Sequence, residues 1–290
     1  MADAPAQDGG GGPLRRLWAA DGRAVVWACV ATVAVELGVL LAALGGLISQ
    51  SYQDRGREQA KGLMEIATGL PLQYPTMGFL AACCVWAALA SGVMAAGGRG
   101  WISATLRGGV IADATGISLL AAWLLGLAWP AKYQVLGFLD IVEIYCTFAV
   151  LSLAAVAAVQ CARGPAGRYA IAVASAVALM AALATPFWTG GIREHARPES
   201  RYRIVATAAE FNPFYSVSLP VARRTDKPWS LYDVMYKDVR FAQNQAVGAI
   251  HWYDSVVRYG VIAVMLVLVS VVRGRFIDRK LANTHTGAGT

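Results

Sequence analysis

Residues 24–48 read AVVWACVATVAVELGVLLAALGGLI, 25 positions with one ionisable side chain, Glu36. At 1.5 Å rise per residue this run covers the hydrocarbon thickness of a bilayer, which needs about 20 apolar residues. It is far longer than a soluble core helix requires. Further runs of the same kind follow at roughly Met77–Ala96, Gly109–Trp129, Val135–Cys161, Tyr169–Thr189 and Tyr259–Val272, the last extended outward by Val256 and Val257. Alanine and glycine abound in all of them, so the helices can approach one another closely. The fold class predicted is all-α: a polytopic integral membrane protein of six transmembrane helices.

Composition agrees with that reading. The chain has 290 residues, 57% of them hydrophobic and only 15% charged, where a soluble domain carries about 25% charge. Net charge is +7. In a membrane protein such an excess reflects loops facing anionic lipid. No basic run interleaved with aromatics suggests a nucleic-acid groove, so nucleic acid is set aside. The five cysteines, Cys29, Cys83, Cys84, Cys146 and Cys161, lie in or beside apolar runs without a CxxC spacing, and read as small buried apolar residues.

Arg15, Arg16, Arg23, Arg99, Arg107, Arg163, Arg168, Arg273, Arg275, Arg279 and Lys280 all fall on one side of a six-span chain. The positive-inside rule then puts both termini in the cytoplasm and the protein in the cytoplasmic (inner) membrane. The segments expected are a disordered tail (1–13), an interfacial basic segment (14–23), spans one to five with short loops (24–191), an extracytoplasmic cap (192–257), span six (258–278) and a cytoplasmic tail (279–290). Around Leu14–Trp18 two readings stay open: a short helix lying in the interface, or a basic flank of span one.

Much chemistry is excluded. The three histidines, His195, His251 and His285, lie outside the spans, which removes a bis-histidine haem and a histidine metal site within the bilayer. No lysine sits mid-span, and no GxxxxGK[ST] is present, so any ATP is bound elsewhere. What remains inside the membrane is acidic: Glu36 mid-span, Asp113 expected about one turn inside span three, and Asp140 and Glu143 three apart near the end of span four, on one helical face. Such residues are costly in hydrocarbon and turn toward the bundle interior. They read either as a proton or cation relay or as neutral, hydrogen-bonded groups tying helices together. Glu36, with no Lys or Arg in the spans, is expected to be neutral.

Between spans five and six lies Glu210-Phe211-Asn212-Pro213-Phe214-Tyr215. Pro213 pushes Asn212 out of helical geometry, so one helix can end and another start there, with Asn212 as its cap. The apolar flanks, residues 204–211 and 214–221, are each too short to span and predict a re-entrant or interfacial pair. Beyond them Trp229, Tyr232, Tyr236, Trp252, Tyr253 and Tyr259 suggest either a lid or docking surface, or aromatics at headgroup depth.

With six spans, both termini inside and Asn212-Pro213 with aromatic neighbours between spans five and six, the chain resembles the permease subunits of ABC-2 type transporters. The segment around Leu14–Trp18 is similar to that family's interfacial connecting helix. The resemblance implies a homo- or heterodimer of permease chains that forms an export pathway through the lipid bilayer. It also implies a separate ATP-binding cassette subunit that holds the ATP, with no cofactor, metal or catalytic residue in this chain. The ATPase-engaging sequence of that family falls in the loop after span two, here Gly97–Arg107, where Arg99, Trp101, Thr105 and Arg107 are the candidate coupling residues. Thr105-Leu106 matches the family's pattern, whereas its acidic residue is missing. Two readings compete: a proton-coupled carrier centred on Glu36, Asp140 and Glu143, and a membrane anchor that holds a partner through the aromatic segment.

Overall fold

Gly98 cannot be any other residue in the turn where it stands. A Cβ there would lie 2.9 Å from the Ala104 backbone, and Gly100, two positions on, has φ +99°, a region that L side chains avoid. These glycines let the chain reverse in four residues, 97–100, between two membrane-length helices. The computed structural model describes residues 13–55, 73–98, 100–128, 136–184, 211–223 and 251–286, with isolated positions 195, 197, 200 and 207.

The helices are α1 (Pro13–Arg55), α2 (Gln73–Ala96), α3 (Trp101–Ala128), α4 (Phe138–Gln160), α5 (Gly164–Leu183), α6 (Pro213–Arg223) and α7 (Trp252–Thr286). Six contain stretches long and apolar enough to cross a membrane: Gly22–Gly46, Pro75–Ala96, Trp101–Leu127, Phe138–Gln160, Gly164–Leu183 and Trp252–Arg273. α6, at 11 residues, rises only about 16 Å. The chain is therefore an all-helical, multi-pass membrane protein.

α4 is the hub, packed against α2, α3, α5, α6 and α7; α2 meets α1, α3, α4, α5 and α6. The buried core is a layer from these two helices, with Phe79, Leu80, Cys83 and Cys84 facing Ile144, Phe148 and Leu151. α1 and α7 flank it. α1 is held along one narrow line, Thr32, Glu36 and Leu40, the i, i+4 spacing of a single helical face. Val26, Trp27, Val30, Val35 and Leu41 of the same helix are exposed, as lipid contact allows.

Small residues set how closely the helices approach. In α3, Ala104, Gly108, Ala112 and Gly116 recur every four residues on the face toward α2 and α4. A Cβ on Gly108 would stand 2.2 Å from Val156 Cγ2, and one on Gly116 would stand 2.9 Å from the Tyr145 ring. Ser91 Oγ donates to the Gly108 carbonyl at 3.1 Å. The α4–α5 turn uses Gly164 at φ +71°, and a proline starts α5, where a missing N–H costs nothing.

Several boundaries differ from those expected. α3 begins at Trp101, not near Gly109, so Thr105 and Arg107 lie in its first two turns and the connecting loop shrinks to 97–100. Arg107 marked a loop only in appearance: its guanidinium reaches back to the Gly97 turn, as a long cationic side chain does from inside a span. α7 begins at Trp252, which takes residues 252–257 from the expected cap into the sixth helix. Residues 14–23 continue α1 without a break.

Candidate functional site

The Glu36 carboxyl is fully buried in the middle of its span. Thr115 of α3 donates to Glu36 Oε1 at 2.9 Å, sharing its one proton with the Ile111 carbonyl at 3.2 Å. Ser118, one turn along, and Cys83 of α2 face the same carboxyl. Glu36 Oε2 is buried, and among the described residues it has no hydrogen-bond partner within bonding geometry. One turn from Glu36, Thr32 accepts from the Trp86 indole N–H at 3.2 Å. Three helices thus meet at mid-membrane around one carboxyl and a short row of hydroxyl and thiol groups. No described cation lies within the spans beside it to balance a charge, and an unpaired charge in hydrocarbon is costly.

Asp113 stands elsewhere. It is about three turns, roughly 18 Å, into α3, not one turn, because α3 begins earlier than the hydropathy run suggested. Its side chain is exposed on the outer surface of the bundle and accepts from the Tyr145 hydroxyl of α4 at 2.7 Å. The Tyr145 ring reaches it across Gly116. Tyr145 carries no signal in the sequence; only the crossing of α3 and α4 brings it to Asp113.

Asp140 is committed to the start of α4, where its Oδ2 accepts from the Gly137 backbone N–H at 2.6 Å, the reach-back bond of a capping box. Glu143 is half-buried one turn along. The carboxyls of Glu36, Asp113 and Asp140 therefore sit in three different environments. Among the described residues no three His, Cys, Asp or Glu are grouped to hold a metal ion.

At the end of the bundle away from the chain termini, Asn212 is fully buried. Its Oδ1 accepts from the Phe214 backbone N–H at 3.0 Å, and its Nδ2 donates to the Leu183 carbonyl at 3.3 Å. One side chain thus caps α6 and ties it to the end of α5. Phe214, Val217 and Val221 join the main core. Ser216 donates to Ser255 at 2.8 Å, and Tyr259 donates to the Phe211 carbonyl at 2.7 Å, so α7 holds the other side. Arg258 lies over the Phe211 ring, 5.0 Å from its centroid, within cation–π range. Of the two segments expected as a re-entrant or interfacial pair, residues 214–221 lie in α6; most of residues 204–210, and Trp229, Tyr232 and Tyr236 with them, fall outside the described residues.

At the opposite end, which carries the termini of α1 and α7, the Trp101 indole donates to Ser270 Oγ at 3.2 Å, and Ser270 donates on to the Gln160 carbonyl at 3.3 Å. Arg168 donates to the Gly98 carbonyl at 2.8 Å, and Arg273 to that of Cys161. Burial raises the Cys161 thiol above its ordinary range, and the nearby Arg273 opposes that shift. The α2–α3 turn is thereby stitched to α5, and the start of α3 to α7. Thr105 is exposed, and Arg99 lies outside the described residues.

Fold and site together define a polytopic helical membrane protein with a buried mid-membrane carboxyl and a short helix packed across one end. Comparison with protein-family models, with curated proteins and with solved structures found no match for the chain.

Proposed function

We propose that this chain is the membrane-spanning permease subunit of an ABC-2-like, ATP-driven exporter. The observation that carries the reading is α6: a helix too short to span, begun by Asn212-Pro213 and buried between α2, α4, α5 and α7. A short helix seated among spans at one end of a bundle can shift with them and open or seal a pathway there. In this reading both termini lie in the cytoplasm, and the α2–α3 turn receives a separate ATP-binding subunit. The links Trp101–Ser270–Gln160 and Arg168–Gly98 then pass its movement to α7, α4 and α5. The chain itself binds no nucleotide and makes no covalent change to its cargo. Native purification in mild detergent is expected to retain a stoichiometric protein with a P-loop, whose ATPase activity depends on this chain. A peak of this chain alone, with no such partner, would overturn the assignment.

A second reading is favoured by one observation: Glu36 is fully buried at mid-membrane, and among the described residues its Oε2 has no hydrogen-bond partner. A proton-coupled carrier would load and unload that carboxyl. Glu36→Gln preserves volume and keeps an acceptor for Thr115, so stability is expected to change by less than about 1 kcal/mol. Under the exporter reading ATP-dependent flux survives this substitution. Abolished, gradient-dependent flux at unchanged stability would instead establish the carrier.

A further inference from the structure

Three side chains from two helices close on the turn between α2 and α3. Arg107 of α3 brings its Nη1 to 3.1 Å from where a Gly97 Cβ would stand, and the Tyr169 hydroxyl of α5 lies 3.7 Å from the same point. Arg168, the neighbour of Tyr169, donates from Nη1 to the Gly98 carbonyl at 2.8 Å. Its Nε is turned inward with no partner among the described residues. Two guanidinium groups are thus held against adjacent residues of one turn, and like charges repel. The acids whose side chains are described do not offset them. Glu36 and Asp113 lie deep in their spans, and Asp140, Glu143 and Asp254 stand at the opposite end of the bundle.

Both arginines lie within the first two turns of their spans, Trp101–Leu127 and Gly164–Leu183. From there a long cationic side chain reaches headgroup depth. Further along α5, Val173, Val177 and Met180 are exposed to about the same degree as Tyr169. Their spacings from Tyr169 onward, four, four and three, keep them on one helical face. The arginines therefore sit at the head of an apolar ridge.

We propose that this corner binds one anionic phospholipid, its phosphate seated between Arg107 and Arg168, with Tyr169 donating to it and an acyl chain along the α5 ridge. Guanidinium groups make paired, charge-assisted bonds to phosphate oxygens, and basic pockets between spans hold anionic headgroups. A phosphate brings an acceptor for Arg168 and negative charge for both arginines. A zwitterionic lipid carries the same phosphate beside an ammonium, which the guanidinium groups repel. The ridge favours a lipid over free phosphate, because it gives the acyl chain a place to lie. The inference needs no transport and no ATP-binding subunit, so it does not depend on the exporter reading.

The test is native mass spectrometry of the full-length chain in mild detergent, with the unfolding temperature measured alongside. The chain is titrated with dioleoylphosphatidylglycerol, dioleoylphosphatidylcholine or inorganic phosphate. It is expected to retain one phosphatidylglycerol at least tenfold more tightly than phosphatidylcholine, and to retain no inorganic phosphate. Arg107→Gln and Arg168→Gln should each weaken phosphatidylglycerol retention at least tenfold. Arg168→Lys, which keeps the charge without the planar fork, should fall between wild type and Arg168→Gln. Arg168→Gln also loses the bond to Gly98, so Tyr169→Phe, which keeps the ring, serves as a second probe. It should weaken retention severalfold at an unchanged unfolding temperature. Arg23→Gln removes an exposed charge from the same end of the bundle, on α1, and should leave retention as in wild type. Equal retention of the two lipids would overturn the proposal. So would an Arg23→Gln loss as large as that of Arg168→Gln, which would mean a diffuse basic surface. Inorganic phosphate bound with the same dependence on Arg107 and Arg168 would replace the lipid with a free anion.

Discussion

Gly108→Val is expected to be among the most damaging single substitutions in the chain. The absent Cβ of Gly108 points at Val156 Cγ2, 2.2 Å from where it would stand, with the Ser91 carbonyl 3.4 Å away on the other side. Val156 cannot swing aside, because a β-branched residue in a helix has essentially one rotamer. Either α3 or α4 must move, and α4 is the helix on which four others and α6 depend. Overpacking by a single methyl group costs about 1–3 kcal/mol, so Gly108→Ala should already lower the unfolding temperature measurably. The larger Val should depress it further and reduce the yield of folded protein. The control is Gly126→Ala in the same helix, where nothing lies within 4 Å. There the change should be neutral or stabilising, since glycine in a helix costs about 1 kcal/mol relative to alanine. Circular dichroism melts in detergent would separate the two. Equal melting of Gly108→Ala and wild type would show that the α3–α4 crossing is looser than 2.2 Å implies.

Asn212→Leu should produce the second large effect. The substitution keeps the branching at Cγ and is more apolar, so a purely hydrophobic account predicts no loss. Instead it removes the bonds that Asn212 makes to the buried Phe214 N–H and to the half-buried Leu183 carbonyl. Each hydrogen bond lost costs about 0.5–1.5 kcal/mol. Asn212→Ser separates the two roles: a serine oxygen can still cap α6, but is too short to reach Leu183. Its melting temperature should fall between those of wild type and Asn212→Leu. If the exporter reading holds, Asn212→Leu also uncouples transport while the ATP-binding subunit stays attached, since α6 sits at the end opposite the α2–α3 turn.

The transmembrane character was legible because lipid imposes a length and a composition that few soluble segments satisfy. Boundaries were less so. A hydropathy run began span three at Gly109 because Arg107 precedes it, yet the helix starts at Trp101 and carries Arg107 inside it. A long side chain can leave the membrane while its backbone stays in, so the position of a charge does not mark the end of a helix. That shift moved Asp113 from one turn to three turns deep and emptied most of the expected coupling loop. Asn212-Pro213 was readable as a helix break from backbone chemistry alone. Its attachment to Leu183 was not, because nothing in the sequence across that separation of 29 positions records which carbonyl an amide will reach.

Gly108 and Gly109 show where the division lies. As letters they are equivalent, two adjacent glycines in an apolar run, and either can loosen a helix. In the folded chain one is pressed against Val156 and the other meets nothing, because a helix turns about 100° per residue and only one of them faces α4. The same holds for the acids. The sequence by itself determined that Glu36 and Asp113 are carboxyls in the membrane, since composition and length set the spans. Only the tertiary structure decided that Glu36 turns inward to Thr115 while Asp113 turns outward beside Tyr145. Which face of a helix is covered depends on where its neighbours cross it, and that is a property of the packed bundle rather than of any one span.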